Sequence, residues 1–504
     1  MKYSCAAGRL EELRTEAILL FVPRLDKGFS DRRLRALDKA TGGALTTLVS
    51  SEEFTAKEGE IATIYHPSGY NSDRVLLIGL GEPKKIDADT YRKVMGTASR
   101  HKSLTACAQA TLFLGSSNDV TLFRAAAEGY LLGSYSLRQF KTGDANKNPN
   151  RLAEIIFAVE NNAALKKLKE AVTKGQIIAE GQNLVRLLAA TPSNFLTPRL
   201  YAKRIQELAK VHKLECQVLD EKAIAHERMG CLLSVAQGSS EPPRFVILRY
   251  TGRRDKQKPI VLVGKGVTFD SGGISLKPGL DMHEMKGDMT GSAVMLSTMI
   301  TASQLRLPLN LVALLPLTEN MPSGTATRPG DIITSRKGLT VEIINTDAEG
   351  RLILADALDY ANTFNPQTVI DIATLTGAAL YVLGYAGAPV LGNNSKLMDQ
   401  LRKAASRTAE RVWEMPIWDD YRDQMKSSIA DLVNSGGKAA GTLAASAFLE
   451  NFIGDWPWAH IDIAFVDVEL KGRPYIPKGA TGIGLRLLVD LLINWKPVHT
   501  SKRK

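Results

Sequence analysis

The chain has 504 residues, 64 Lys+Arg against 53 Asp+Glu, and a formal net charge of +11. Hydrophobic residues make up 44% and charged residues 23%, ordinary globular usage that excludes a disordered, collagenous or disulfide-framework protein. At a prior of about 150 residues per domain, the length predicts two to four domains with ample chain for a core.

At the N-terminus, Arg9, Glu11, Glu12, Arg14 and Glu16 interrupt the first apolar stretch before it can serve as a signal segment. Residues 17–22 and 74–80 then read as strands, 91–100 as a helix, 111–114 as a strand, 122–135 as a helix and 154–159 as a strand. This alternation predicts a parallel or mixed sheet covered by helices. The polar stretch 141–151 reads as an exposed loop. From 163 to 188 the pattern is helical throughout, the signature of a long connecting helix. Thr191-Pro192 and Thr197-Pro198 end it, and a new helix is predicted over 200–211. Beyond it, the strand candidates are 245–250, 260–263, 309–315, 341–344, 369–372 and 460–465, short apolar runs suited to central strands covered on both faces. The tail 496–504 is basic and reads as a frayed, solvated end.

The longest apolar runs fall well short of the roughly 20 residues that cross a bilayer, so no membrane span is expected. Cys5, Cys107, Cys216 and Cys231 are far apart and form no C-x-x-C pair, which fits a reducing cytoplasm. Gly79-Leu-Gly81 and Gly264-Lys-Gly266 each follow a strand, but Lys84 and Phe269 stand where a dinucleotide fingerprint has its third glycine. No phosphate-cradling G-x-x-x-x-G-K-[ST] loop occurs either. These glycines read as tight strand exits.

The densest chemistry lies in residues 264–277 (GKGVTFDSGGISLK), continuing to Met285-Lys-Gly-Asp288, and in residues 345–352 (NTDAEGRL). Each begins where a predicted strand ends, the place where open α/β sheets bind ligands. On an extended chain Asp347, Glu349 and Arg351 would share one face. Two such carboxylates repel unless positive charge lies between them. Arg351 alone can supply it, as part of an ion-pair network. With Asp270 and Asp288 added, four carboxylates also suit a two-metal site with oxygen ligands, the ions about 3.5–4 Å apart.

The two segments resemble the signatures of the leucyl (cytosol) aminopeptidase family, dinuclear metallo-exopeptidases that include bacterial aminopeptidase A. Further likeness runs through Arg328-Pro-Gly-Asp331, Ala373-Thr-Leu-Thr-Gly377, Gly436-Gly437, Trp458-Ala-His-Ile-Asp462 and Gly479-Ala-Thr-Gly482. The resemblance implies an α/β fold: an N-terminal macro-like domain over 1–160, a connecting helix over 161–190, and a catalytic domain over 191–504. That catalytic domain would be a three-layer α/β/α unit around a mostly parallel sheet. It implies two divalent ions per chain, Mn²⁺ or Zn²⁺, bridged by Asp270 and Glu349, with Lys265 and Asp288 completing one shell and Asp347 the other. A lysine ligand must be neutral, which two adjacent dications favour.

By the same resemblance, Lys277 stabilises the oxyanion formed when an activated water attacks the scissile carbonyl. Arg351 holds bicarbonate, the general base. The activity implied is release of the N-terminal residue of a peptide, apolar and Leu-like preferred, into a pocket walled by Met285, Thr374, Gly377 and Ala464. Gly287 and Phe465 depart from the family pattern, and Phe465 is expected to narrow that pocket. His283 reads as a surface or outlying histidine and His460 as a buried structural one. A homohexamer in the cytoplasm is the implied assembly, with active sites facing an inner cavity. The second reading is a DNA-binding or architectural protein, because some bacterial relatives bind DNA and the charge is +11; no nucleic-acid motif accompanies it. A dimetal phosphoesterase would be expected to use His ligands, which these segments lack.

Overall fold

An apolar string without polar alternation belongs to a strand covered on both faces, and residues 17–22 behave in this way. Ala17, Leu19 and Phe21 pack with Tyr91, Val94 and Met95, whereas Ile18, Leu20 and Val22 pack with Leu34, Leu37 and Leu45. In this computed structural model the described residues are 1–504 except 25–28, 30, 115–118, 144–149, 254, 256 and 499–504. Residues 144–149 of the predicted polar loop and 499–504 of the basic tail therefore lie outside the described residues.

The chain forms two units, Met1–Glu180 with Leu470–Lys478, and Gly181–Glu469 with Gly479–Lys504. In the first, the sheet order is Lys2–Ala7, Glu154–Val159, Gln109–Phe113, Thr15–Pro23, Ser72–Gly81, Ile61–Tyr65. All pairs are parallel except the last. The helices Ala88–Ala98 and Val120–Gly133 pack together over one face. Leu470–Lys478 joins this unit through Tyr475, which is buried with Leu132 and Ala179 and donates to Asp89 Oδ1 at 2.7 Å. Only the structure reveals that excursion. The predicted long helix is Leu165–Ala189, and the division between the units falls within it.

In the second unit the sheet runs Val412–Glu414, Ala388–Gly392, Trp458–Asp462, Thr368–Ala373, Ile260–Gly264, Asn310–Asn320, Arg244–Thr251, Glu215–Leu219. The central pairs are parallel and the flanking ones mixed. Val261 and Val263 pack with Leu352, Ile353 and Leu358 of the helix Gly350–Tyr360 on one face. The helices Thr290–Gln304 and Leu485–Ile493 pack together, with Thr290–Gln304 against the same central strands. The architecture is thus mixed α/β with a mostly parallel sheet, as expected.

Two predicted strands differ. The segment 341–344 is the short strand Thr340–Glu342 in a separate small sheet with Ile332–Thr334 and Leu432–Val433. The assigned strand ends at Glu342, although Ile343 N still donates to Asp331 O at 2.9 Å, in register with that pairing. The segment 460–465 ends as a strand at Asp462, and Phe465 stands in the left-handed region at φ 68°. No described helix is long and apolar enough to cross a membrane.

Candidate metal centre

Ile260–Gly264 and Gly266–Asp270 act as one strand broken at Lys265. The first half pairs with residues 311–314 and the second with 317–320 of the same neighbour. The flanking glycines allow a close passage: a Cβ on Gly264 would lie 2.6 Å from Gly291 O, and one on Gly266 2.5 Å from Pro316 O. Gly264 therefore serves packing against the helix Thr290–Gln304, and Gly266 packing against the strand Asn310–Asn320. At the break, Lys265 N donates to Ile372 O at 3.2 Å and Ser292 N to Lys265 O at 2.8 Å, fixing the lysine backbone on both sides.

Lys265 is 2% exposed, and its Nζ lies 2.8 Å from Glu349 Oε1, 2.9 Å from Asp288 Oδ2 and 2.8 Å from Thr374 O. Lys277 Nζ lies 2.8 Å from Asp270 Oδ2 and 2.5 Å from Asp347 Oδ1. Asp270, Asp347 and Glu349 each offer an oxygen within 4.8 Å of the others. The structure thus brings together Lys265, Asp270, Lys277, Asp288, Asp347 and Glu349.

They meet by a route the extended-chain reading did not anticipate. Residues 345–348 turn, with Ala348 N donating to Asn345 O at 3.2 Å, and Glu349 is helical at φ −75°, ψ −36° as the N-cap of Gly350–Tyr360. The two carboxylates converge through a turn and a helix start, and Arg351 sits in that helix's first turn. On the other segment, Gly272 (φ 89°) and Gly273 (φ 68°) reverse the chain so that Lys277 N reaches Ser271 O at 2.9 Å. Thr346 Oγ1 stitches the two loops, donating to Gly272 O at 2.7 Å and accepting from Ser275 N at 2.8 Å.

Two asparagines that sequence reasoning missed hold this arrangement. Asn320 Nδ2 donates to Asp270 Oδ1 at 2.8 Å and to Thr346 O at 3.0 Å. Asn434 Oδ1 accepts from Ile344 N at 2.8 Å, its Nδ2 donates to Asn345 O at 2.7 Å, and its carbonyl accepts from Arg351 Nη1 at 2.8 Å. Asn320 closes the strand Asn310–Asn320, which runs five residues past the predicted end at 315, so no sequence signal placed it at the site.

Electrostatics follow from crowding. Burial alone would lower the Lys265 amine, but Asp288, Glu349 and Asp270 outweigh it and carry it well above its usual value. Lys277 moves the same way against burial, chiefly through Asp270 and Glu349. Burial pushes Asp288 far up despite Lys265, and pushes Asp347 up to about 6 with help from Asp270 and Glu349. Four carboxylates facing two lysines leave a net negative, oxygen-rich cluster, a donor set that fits hard divalent cations. Arg351 is 8% exposed, lowered by burial to about 10 and so still charged near neutrality. Its Nε is buried without a hydrogen-bond partner and no carboxylate pairs with it among the described residues, which fits a planar anion.

Of the residues expected to wall a pocket, Thr374 donates to Asp288 Oδ1 at 2.8 Å. Asp462 Oδ1 accepts from both Leu375 N and Ala464 N at 3.1 Å, which places Ala464 beside the 374–376 turn. Met285 O accepts from Asp288 N at 3.2 Å. Gly377 is exposed with open space over its Cβ position. His283 is exposed and paired with Glu284 at 3.1 Å. His460 is fully buried, its Nδ1 2.5 Å from Asp371 Oδ1.

A buried oxygen-rich cluster at the strand ends of an α/β sheet fits the class of metal-dependent hydrolases. Residues 183–489 match the catalytic domain of the cytosol aminopeptidase family, and residues 19–144 match that family's N-terminal domain. The chain belongs to the cytosol aminopeptidase family, and it is a metal-dependent aminopeptidase acting on peptides. A probable cytosol aminopeptidase of Syntrophotalea carbinolica is 44% identical over 488 residues, covering 95% of this chain and 97% of that one. One from Geobacter sp. (strain M21) is 43% identical, covering 92% and 95%. Among solved structures, the bottromycin maturation enzyme BotP superposes with a TM-score of 0.83 at 31% identity, covering 95% of this chain and 99% of that one. That enzyme has also been solved in complex with Mn.

Proposed function

We propose that this chain removes N-terminal residues from peptides at a centre where Lys265, Asp270, Asp288, Asp347 and Glu349 would hold two divalent ions. The observation that carries the reading is the double placement of Lys265 Nζ, within 2.9 Å of both Asp288 and Glu349, which gathers ligands from three separate segments. When bound, two divalent ions (Mn²⁺ or Zn²⁺) supply Lewis-acid polarisation of the scissile carbonyl and an activated water. To hold an ion Lys265 would have to be neutral, and a neighbouring dication would favour that by reversing the field that now keeps the amine charged. Lys277 keeps its proton and stabilises the oxyanion developing on the carbonyl oxygen. Arg351, anchored on Asn434, orients bicarbonate as the proton acceptor.

Met285, Thr374, Gly377 and Ala464 receive the first side chain, and the apolar walls favour an aliphatic, Leu-like stem. In this reading the enzyme is a cytoplasmic homohexamer. The test is hydrolysis of leucine anilides together with elemental analysis on one preparation. About two ions per chain are expected, with Glu349→Ala and Lys277→Ala folded but reduced to near-background rates. Retained activity in both variants would sink the proposal.

A further inference from the structure

One acidic group beside the pocket has no part in the reaction proposed above. Asp467 is 8% exposed and lies three residues beyond Ala464, after the strand Trp458–Asp462. Among the described residues no lysine, arginine or histidine pairs with its carboxyl, and only the nearby backbone N–H groups of Asp467 and Phe465 favour its charged form. Burial pushes it up to about 7, those two N–H groups oppose the shift, and Asp462 and Glu284 add to it. A buried acid with no cation is destabilising, and this one follows Ala464, proposed above as a pocket residue, by three positions.

Facing it is Gly287, the residue before Asp288. The three nearest atoms to a Cβ placed on Gly287 are all oxygens: Asp467 Oδ2 and Ala189 O at 3.8 Å, and Thr290 Oγ1 at 3.9 Å. The missing side chain leaves a small niche lined by acceptors. Thr290 Oγ1 already donates to Gly287 O at 2.6 Å, so what it offers the niche is a lone pair. Ala189 is the last residue of the helix Leu165–Ala189, where carbonyl dipoles favour positive charge. Met285 and Ala464 supply apolar walls nearby. Phe465, at φ 68°, meets the Tyr385 ring edge-on at 6.3 Å.

We propose that this niche receives the ammonium of a basic first side chain, so that the enzyme prefers lysine-class N-termini to apolar ones of equal length, with Asp467 determining that specificity. The inference rests on the aminopeptidase reading and names its substrate class. An ammonium has three donors for the three oxygens, and its aliphatic stem suits the walls.

The probes are L-lysinamide and L-norleucinamide, which differ in the terminal amine. Their binding to the manganese-loaded enzyme is measured by calorimetry, and their hydrolysis in parallel. Wild type is expected to prefer lysinamide. Asp467→Asn and Asp467→Met, checked for folding by circular dichroism, are expected to cut that preference by at least about tenfold. An unchanged preference in a folded Asp467 variant, or a wild type that prefers norleucinamide, overturns the inference. Should neither variant fold, Gly287→Ala decides, because a methyl there fills the niche and leaves Asp467 in place: lost preference supports the inference and retained preference overturns it. Selective binding without hydrolysis of either amide would overturn the aminopeptidase reading and leave the niche standing.

Discussion

The Cβ position of Gly350 lies 2.7 Å from Nζ of Lys265, so the first residue of the helix Gly350–Tyr360 must be glycine for the lysine amine to lie against it. Gly350 has ordinary helical backbone, and alanine would suit the helix better by about 1 kcal/mol. The outer half of the lysine side chain, from Cδ to Nζ, would have to move, while none of the three nearest atoms is backbone. Gly350→Ala is therefore expected to melt within a few degrees of wild type while losing metal content and most hydrolysis. Elemental analysis beside a thermal melt separates the two effects.

Gly291 presents the opposite case. Its Cβ position is 2.3 Å from Ile372 O and 3.0 Å from Lys265 N, both backbone atoms that cannot swing aside. Gly291→Ala should cost about 1–3 kcal/mol by overpacking and also displace Asp288 from Lys265. A chemical denaturation curve would show the lower midpoint.

Asn320 binds no reacting group, yet it orients Asp270 through the 2.8 Å bond from Nδ2. Asn320→Ala removes that orientation and is expected to weaken divalent-ion affinity by roughly 10- to 100-fold. Titration of the apo-protein with Mn²⁺ measures this directly, and an affinity equal to wild type would refute it.

Asp356 gives a pH signature outside the metal cluster. It is fully buried, and burial raises its carboxyl from 3.8 to about 7 even though the N–H groups of Arg336, Leu232 and Cys231 oppose the shift. The folded protein therefore binds this proton more tightly than the unfolded chain. That contribution is complete below pH 3.8 and is lost as pH rises to about 7. The stability difference between wild type and Asp356→Asn should fall across that window by at most about 4 kcal/mol. Paired urea melts from pH 4.5 to 8 would reveal a flat difference if the assignment is wrong.

Much of this protein was legible in one dimension. The unbroken apolar string 17–22 required a strand covered on both faces, because period-2 side chains leave no face for water. The acidic residues of GKGVTFDSGGISLK and NTDAEGRL marked the site, because carboxylates so dense near strand ends need compensating charge. How they meet was not legible: Asp347 and Glu349 converge through a turn and a helix N-cap, and hydrogen bonds from residues far away in sequence select that conformation.

By itself, then, the sequence determined the layers, the family and the residue types of the centre, since these follow from local periodicity and from contiguous motifs. The tertiary structure alone decided that Asn320 and Asn434 hold the two loops in register. It alone decided that Leu470–Lys478 returns to the N-terminal unit and that Asp467 faces the gap over Gly287. Each of these relations joins segments well separated in sequence, and such contacts are specified by the packing of the whole core and by no local pattern.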